Sequence, residues 1–103
     1  MFFFINSDIK DYQFRENDEI KSIVCNEKVK NIGHSAFAFC SNMQYADLSN
    51  SSILQFRYAE FRSDSMLEII LLPSNLKKIG VESFCRCSAI KNIYIPDSVT
   101  IIE

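Results

Sequence analysis

A repeat of 23–24 residues constrains this chain more than anything else in it. Phe37, Phe61 and Phe84 lie 24 and 23 residues apart; Ile32, Phe56 and Ile79 keep the same two spacings, and so do Cys40, Asp64 and Cys87. Subtracting 23 from Ile32, Phe37 and Met43 lands on Ile9, Phe14 and Ile20, and adding 23 to Leu76 and Ile79 lands on Val99 and Ile102. A fixed period in this range is the signature of a solenoid, where no unit buries its apolar face alone but stacked units share a continuous core. The 103 residues therefore read as one domain of about four units: a weak first unit over 1–28, clear units over 29–52, 53–75 and 76–98, and a truncated unit over 99–103.

Within a unit the pattern changes twice. Leu67, Ile70 and Leu72, and again Ile90, Ile93 and Ile95, finish in alternation, the period of a strand with one buried face. Pro73 and Pro96 follow and, lacking an N–H, end the ladder. Leu76-Lys77-Lys78-Ile79-Gly80 turns the chain into a second short extended piece. Ser83–Cys87, too short for a stable free helix, reads as one short helical turn. Gly33 and Gly80 share a lattice position that suits a positive φ or a close backbone approach, whereas the middle unit carries Arg57 there, so that turn must differ or be strained. The expected fold is an α/β solenoid: a right-handed coil with a strand plus a short helical turn per unit, and strands stacked about 4.8 Å apart over a core of Leu, Ile and Phe.

Charge and cysteine usage narrow the function classes. Eleven basic against 13 acidic residues give a net charge of −2, which argues against a nucleic-acid-binding domain. No apolar run approaches the roughly 18 residues of a membrane span. Met1-Phe2-Phe3-Phe4-Ile5, followed by Asn6-Ser7-Asp8, lacks the basic start and apolar length of a secretory signal, so a complete chain of this kind is expected in the cytoplasm. Without a secreted context the four cysteines do not call for disulfides. Cys40 and Cys87 occupy the repeat's own Cys position and read as small buried apolar side chains. Cys85-x-Cys87, even with Cys40 and His34, lacks the spacing of a structural zinc site, and no metal or other cofactor is expected. Cys85 lies outside the repeat position and is expected to be the most exposed thiol. His34, the single histidine, follows Gly33 at a turn with no nucleophile-elbow, phosphate-loop or metalloprotease pattern around it. It reads as a solvated side chain, and no catalytic residue is expected.

The unit resembles the BspA-type leucine-rich repeat family, whose repeat runs roughly Leu-x-x-Ile-Gly-x-x-Ala-Phe-x-x-Cys-x-x-Leu-x-x-Ile-x-Ile-Pro-x-Ser. Leu76, Ile79-Gly80, Ser83-Phe84, Cys87, Ile90, Ile93, Ile95-Pro96 and Ser98 follow it. Val29, Ile32-Gly33, Ala36-Phe37, Cys40, Met43 and Leu48 follow it again. The match is weak over 9–28, where Asn17 replaces the Cys, and the middle unit departs with Glu60 for Ala and Asp64 for Cys. The resemblance implies a leucine-rich-repeat-like coil serving as a non-catalytic recognition scaffold. Many relatives are large surface proteins of host-associated microbes implicated in adhesion. The alternative it implies is a structural segment of a larger surface array with no binding role of its own.

In such a coil the residues between the buried strand positions point outward on the concave face. Ser22, Tyr45, Ile69 and Asn92 form one column and Val24, Asp47, Leu71 and Tyr94 the next. Apolar and aromatic residues stand here where solvent is expected, and such residues anchor interfaces. The expected protein-binding surface centres on Tyr45, Ile69, Leu71 and Tyr94, with Val24 and Asn92 beside them. Phe2–Ile5 are expected to cover the N-terminal edge, while Val99, Ile101 and Ile102 leave a C-terminal strand edge that permits end-to-end self-association.

Overall fold

The computed structural model covers residues 1–103. Its strands are β1 Phe2–Ile5, β2 Ser22–Cys25, β3 Tyr45–Asp47, β4 Gln55–Tyr58, β5 Ile69–Leu71, β6 Lys78–Val81 and β7 Ile101–Ile102. They stack as a parallel β-solenoid of about four turns. One sheet has the order β1-β2-β3-β5, with Ile23, Ala46 and Ile70 in register on its inner side. The second has the order β4-β6-β7 and is foreshadowed by an isolated parallel bridge between Ile9 and Ile32. Alternation explains the first sheet: Phe3, Ile5, Ile23, Cys25, Ala46 and Ile70 face the core, and their neighbours face out. The first turn is shorter than the others. Phe2 pairs with Ser22, 20 residues on, whereas Ser22 pairs with Tyr45 and Tyr45 with Ile69 at 23 and 24.

The expected helical turn is not there; the chain contains no helix. Instead, each turn closes through a broad arc containing two left-handed residues four apart. These are Tyr12 and Glu16, Ser35 and Phe39, Ala59 and Ser63, and Glu82 and Arg86, all with φ between 53° and 63°. The hydrogen bonds give the reason. In the first arc the N–H groups of Tyr12, Phe14 and Glu16 donate to the carbonyls of His34, Ala36 and Ala38 in the next turn. Those of Gln13, Arg15 and Asn17 donate three residues back within the arc. Ser35, Phe37 and Phe39 repeat the scheme onto Tyr58, Glu60 and Arg62, and Ala59, Phe61 and Ser63 onto Val81, Ser83 and Cys85. A helical turn would keep its N–H groups for its own carbonyls. A left-handed residue at each end of the arc turns alternate amides toward the neighbouring turn, so the arc is laced like a sheet while curving like a helix.

The arcs deliver one aromatic per turn to the core. Phe14, Phe37, Phe61 and Phe84 stack with centroids 5.2, 5.5 and 5.6 Å apart and planes within 9° of parallel. Phe56 meets both Phe61 and Phe84 edge-on. Twenty-one buried residues form one continuous core around this file, including Ile20, Ile32, Met43, Leu48, Ile53, Leu67 and Leu76. Gly33 and Gly80 have no positive φ. Their smallness serves the alternative requirement, close approach: a Cβ at Gly33 would overlap the Asp11 amide, and one at Gly80 the Arg57 carbonyl.

The middle unit, with Arg57, Glu60 and Asp64 at the Gly, Ala and Cys positions, does differ. Glu60 is fully buried, and its carboxylate accepts the N–H groups of Arg57 at 2.6 Å and Tyr58 at 2.9 Å. In the preceding turn the N–H of Gly33 instead reaches back to the Ile9 carbonyl. The second sheet is therefore interrupted between Ile32 and Phe56, because the amide that would bridge the turns has turned inward. Asp64 is also fully buried, and its Oδ1 accepts the N–H of Cys40 at 2.8 Å.

Candidate interaction surface

The outward side of the first sheet carries the two columns expected from the lattice. Register places Phe2, Ser22, Tyr45 and Ile69 in one, and Phe4, Val24, Asp47 and Leu71 in the other. Asn92 and Tyr94 continue them without forming a strand. The large exposed apolar side chains stand toward the two ends of the columns, and the middle carries Ser22, Val24, Tyr45 and Asp47, none of them fully exposed. Val24 and Tyr45 are half-buried, whereas Ile69, Leu71 and Tyr94 expose 50%, 40% and 76% of their surface. Asp47 is held within the sheet by local bonds, its Oδ1 accepting both the N–H and the hydroxyl of Ser49.

A groove of about 680 Å³ lies at the C-terminal end of this face. Ile69, Leu71, Asn92 and Tyr94 line it together with Ile70, Leu72 and Pro96; Asp97 is the one charged residue in the lining. The structure thus gathers four of the six expected residues, and leaves Tyr45 and Val24 outside the groove. It also shows what sequence reasoning missed. Phe2 and Phe4 expose 59% and 58% of their surface in the same two columns at the opposite end. The available signal was the apolar run Phe2–Ile5, but the short first turn hid its place in the columns: 23 residues before Ser22 falls outside the numbering.

Backbone bonding across the groove is uneven. The N–H of Ile69 reaches the Gln44 carbonyl and the Leu71 carbonyl accepts the N–H of Leu48, so these residues turn their backbones toward β3. In a parallel ladder the intervening residues face the other way. The N–H groups of Ile70 and Leu72 accordingly point toward segment 92–95, yet no backbone hydrogen bond joins them to it.

The remaining chemistry-bearing groups do not assemble a site. All four cysteines are free. Burial pushes the thiols of Cys25, Cys40 and Cys87 up to about 12, so they stay protonated. The Cys40 thiol donates to the Phe14 carbonyl at 3.2 Å and the Cys87 thiol to the Phe61 carbonyl at 3.0 Å. Cys85 is half-exposed, as is Cys87. Burial raises the Asp64 carboxyl to about 9, and raises the Glu60 carboxyl against the pull of its two backbone donors. No three His, Cys, Asp or Glu side chains converge in metal-binding geometry, and no helix is long and apolar enough to cross a membrane. His34 lies edge-on to the Tyr58 ring at 6.3 Å. On the arc side, the guanidinium carbons of Arg15 and Arg62 lie 5.0 and 5.8 Å from the Phe39 ring centroid.

Comparison with known proteins gives a consistent picture. The model of the BspA type leucine rich repeat region matches residues 5–103 in six copies. Among solved structures, a leucine-rich repeat protein of T. pallidum superimposes with a TM-score of 0.87 at 23% identity, over 93% of this chain and 44% of that one. The chain thus spans less than half the length of that neighbour, and the likeness is one of fold. No curated protein matches it.

Proposed function

We propose that this chain, which belongs to the BspA-type leucine-rich repeat family, is a non-catalytic protein-interaction module whose partner docks on the outward strand face. The observation that carries the reading is the apolar groove beside Ile69, Leu71 and Tyr94, with Asn92 at its edge. Large apolar side chains open to solvent around a concavity are the usual anchors of a protein interface. Tyr45 and Val24, half-buried, form the flank of that surface. Neither a nucleic acid nor a cofactor has a place in this reading. Replacing Leu71 and Tyr94 with Ser tests it, because both side chains are exposed and the fold should tolerate the change within about 0.5 kcal/mol. A purified partner should lose at least tenfold in affinity for the double variant; undiminished affinity removes the groove from the interface. A Tyr45→Ser variant should lose less.

A second reading, a structural segment of a larger repeat array, draws support from the C-terminal end of the solenoid. Ile79, Phe84, Cys87, Ile90, Ile93, Ile95 and Ile102 line an apolar depression of about 300 Å³ there. The N–H groups of Glu82, Phe84 and Arg86 have no neighbouring turn to bond. Such an end permits end-to-end association of two copies. Sedimentation of the chain over a hundredfold concentration range should show mass growth if the end governs its behaviour, and a constant monomer mass if the strand face acts alone.

A further inference from the structure

We infer that the outer edge of β5 is a strand-addition site for an extended, uncharged segment of a partner protein. The inference rests on the strand face being the recognition surface and names what that surface takes. Ile70 and Leu72 are buried, at 3% and 5% exposure, and line the groove, but their N–H groups have no backbone acceptor. They stand two residues apart, about 6.6 Å along the strand. Carbonyls at that same repeat are what an extended backbone presents, and adding a strand to a sheet edge is a recurrent way of binding peptides.

The chain's own segment does not fill this role. Asn92 and Tyr94 wall the groove on its far side, but residues 92–95 donate no backbone hydrogen bond to β5 and accept none from it. The chain beyond them is fixed to a different strip of the fold, where the Ser98 hydroxyl donates to the Leu76 carbonyl at 2.6 Å. Side-chain chemistry then restricts the occupant. Ile69, Leu71 and Tyr94 border the groove and Asp97 is its single charge, so the segment that fits is uncharged and apolar at alternate positions. It runs parallel to β5, accepts from the N–H groups of Ile70 and Leu72, and donates to the Ile70 carbonyl between them.

Amide hydrogen exchange on the full chain tests the inference, with a capped Thr-Val-Thr-Val-Thr pentapeptide as probe and its fully N-methylated counterpart as control. In the free chain the Ile70 and Leu72 amides should exchange at least tenfold faster than that of Leu48, whose N–H is bonded to the Leu71 carbonyl. Millimolar pentapeptide should slow both at least tenfold, and the N-methylated control should leave them unchanged. Three results overturn the site: equal protection of Ile70, Leu72 and Leu48 in the free chain, no slowing by the pentapeptide, or equal slowing by the control. If the pentapeptide fails while the Leu71→Ser/Tyr94→Ser variant still loses its partner, strand addition is wrong and the strand-face reading survives.

Discussion

The third turn and its two neighbours put different residues at the same three lattice positions. Turns two and four use Gly33, Ala36 and Cys40, and Gly80, Ser83 and Cys87; the turn between them uses Arg57, Glu60 and Asp64. The neighbours exploit smallness: a glycine admits the adjacent backbone, and a thiol donates to the phenylalanine carbonyl one turn back. The third turn instead buries two carboxyl groups and has them accept backbone N–H groups, those of Arg57 and Tyr58 for Glu60 and that of Cys40 for Asp64. The phenylalanine stack crosses all three turns without a change in spacing. The difference teaches that the aromatic file fixes the stacking, and that the backbone ladder beside it can be rewired locally.

The largest expected effect checks that ordering. Phe61→Ala removes the ring that touches Phe37, Phe56 and Phe84 and should cost about 3–5 kcal/mol in denaturant unfolding. Phe14→Ala, at the half-buried start of the file, should cost clearly less. Equal costs would mean that the stack does not set the spacing.

Asp64 comes next. Its carboxyl is raised by burial to about 9, while in the unfolded chain it ionises near its ordinary 3.8. A raised carboxyl keeps its full stability below the unfolded value and loses it as pH climbs toward the folded one. The native chain should therefore lose stability steadily between about pH 4 and pH 9. Asp64→Cys restores the residue of the neighbouring turns and should be more stable at pH 8, with the gain shrinking toward pH 4. Matching pH profiles for the two proteins would contradict the burial of a neutral acid.

Gly80→Ala should cost about 1–3 kcal/mol, since its Cβ meets backbone rather than a movable side chain. Arg57→Ala, at the same lattice position on an exposed residue, should change stability by less than about 0.5 kcal/mol. The smallest effect sharpens the picture rather than breaking it. Arg57→Gly with Glu60→Ala frees the two captured amides, so the position-57 amide should stay protected from exchange through a new bridge between turns two and three, whereas the Tyr58 amide, stripped of its acceptor, should exchange faster. Total stability should move by less than about 1 kcal/mol, since a typical intramolecular hydrogen bond contributes about that much.

Much of this was legible in the residues. Period alone placed Phe37, Phe61 and Phe84 in one file and Ile69 and Leu71 on the outward columns, because register in stacked turns follows spacing. The arcs were not legible. Their left-handed positions carry Tyr12, Glu16, Ser35, Phe39, Ala59, Ser63, Glu82 and Arg86, none of them the Gly or Asn that announces a positive φ. Ser83–Cys87 consequently looked like a helical turn when it was half of a lateral ladder. The groove was half legible: alternation pointed to Leu71 and Tyr94, but nothing local shows that residues 92–95 leave the Ile70 and Leu72 amides unbonded.

The arcs also give the molecule a sense of direction. Each inter-turn bond in them runs the same way, from an N–H of one turn to a carbonyl of the next, so the peptide dipoles add along the solenoid axis. The surplus hydrogens at Glu82, Phe84 and Arg86 make the far end faintly electropositive, the reverse of an α-helix, whose free N–H groups sit at its start. Any neighbour that continues the arc must therefore offer oxygens, and can be joined in one orientation only.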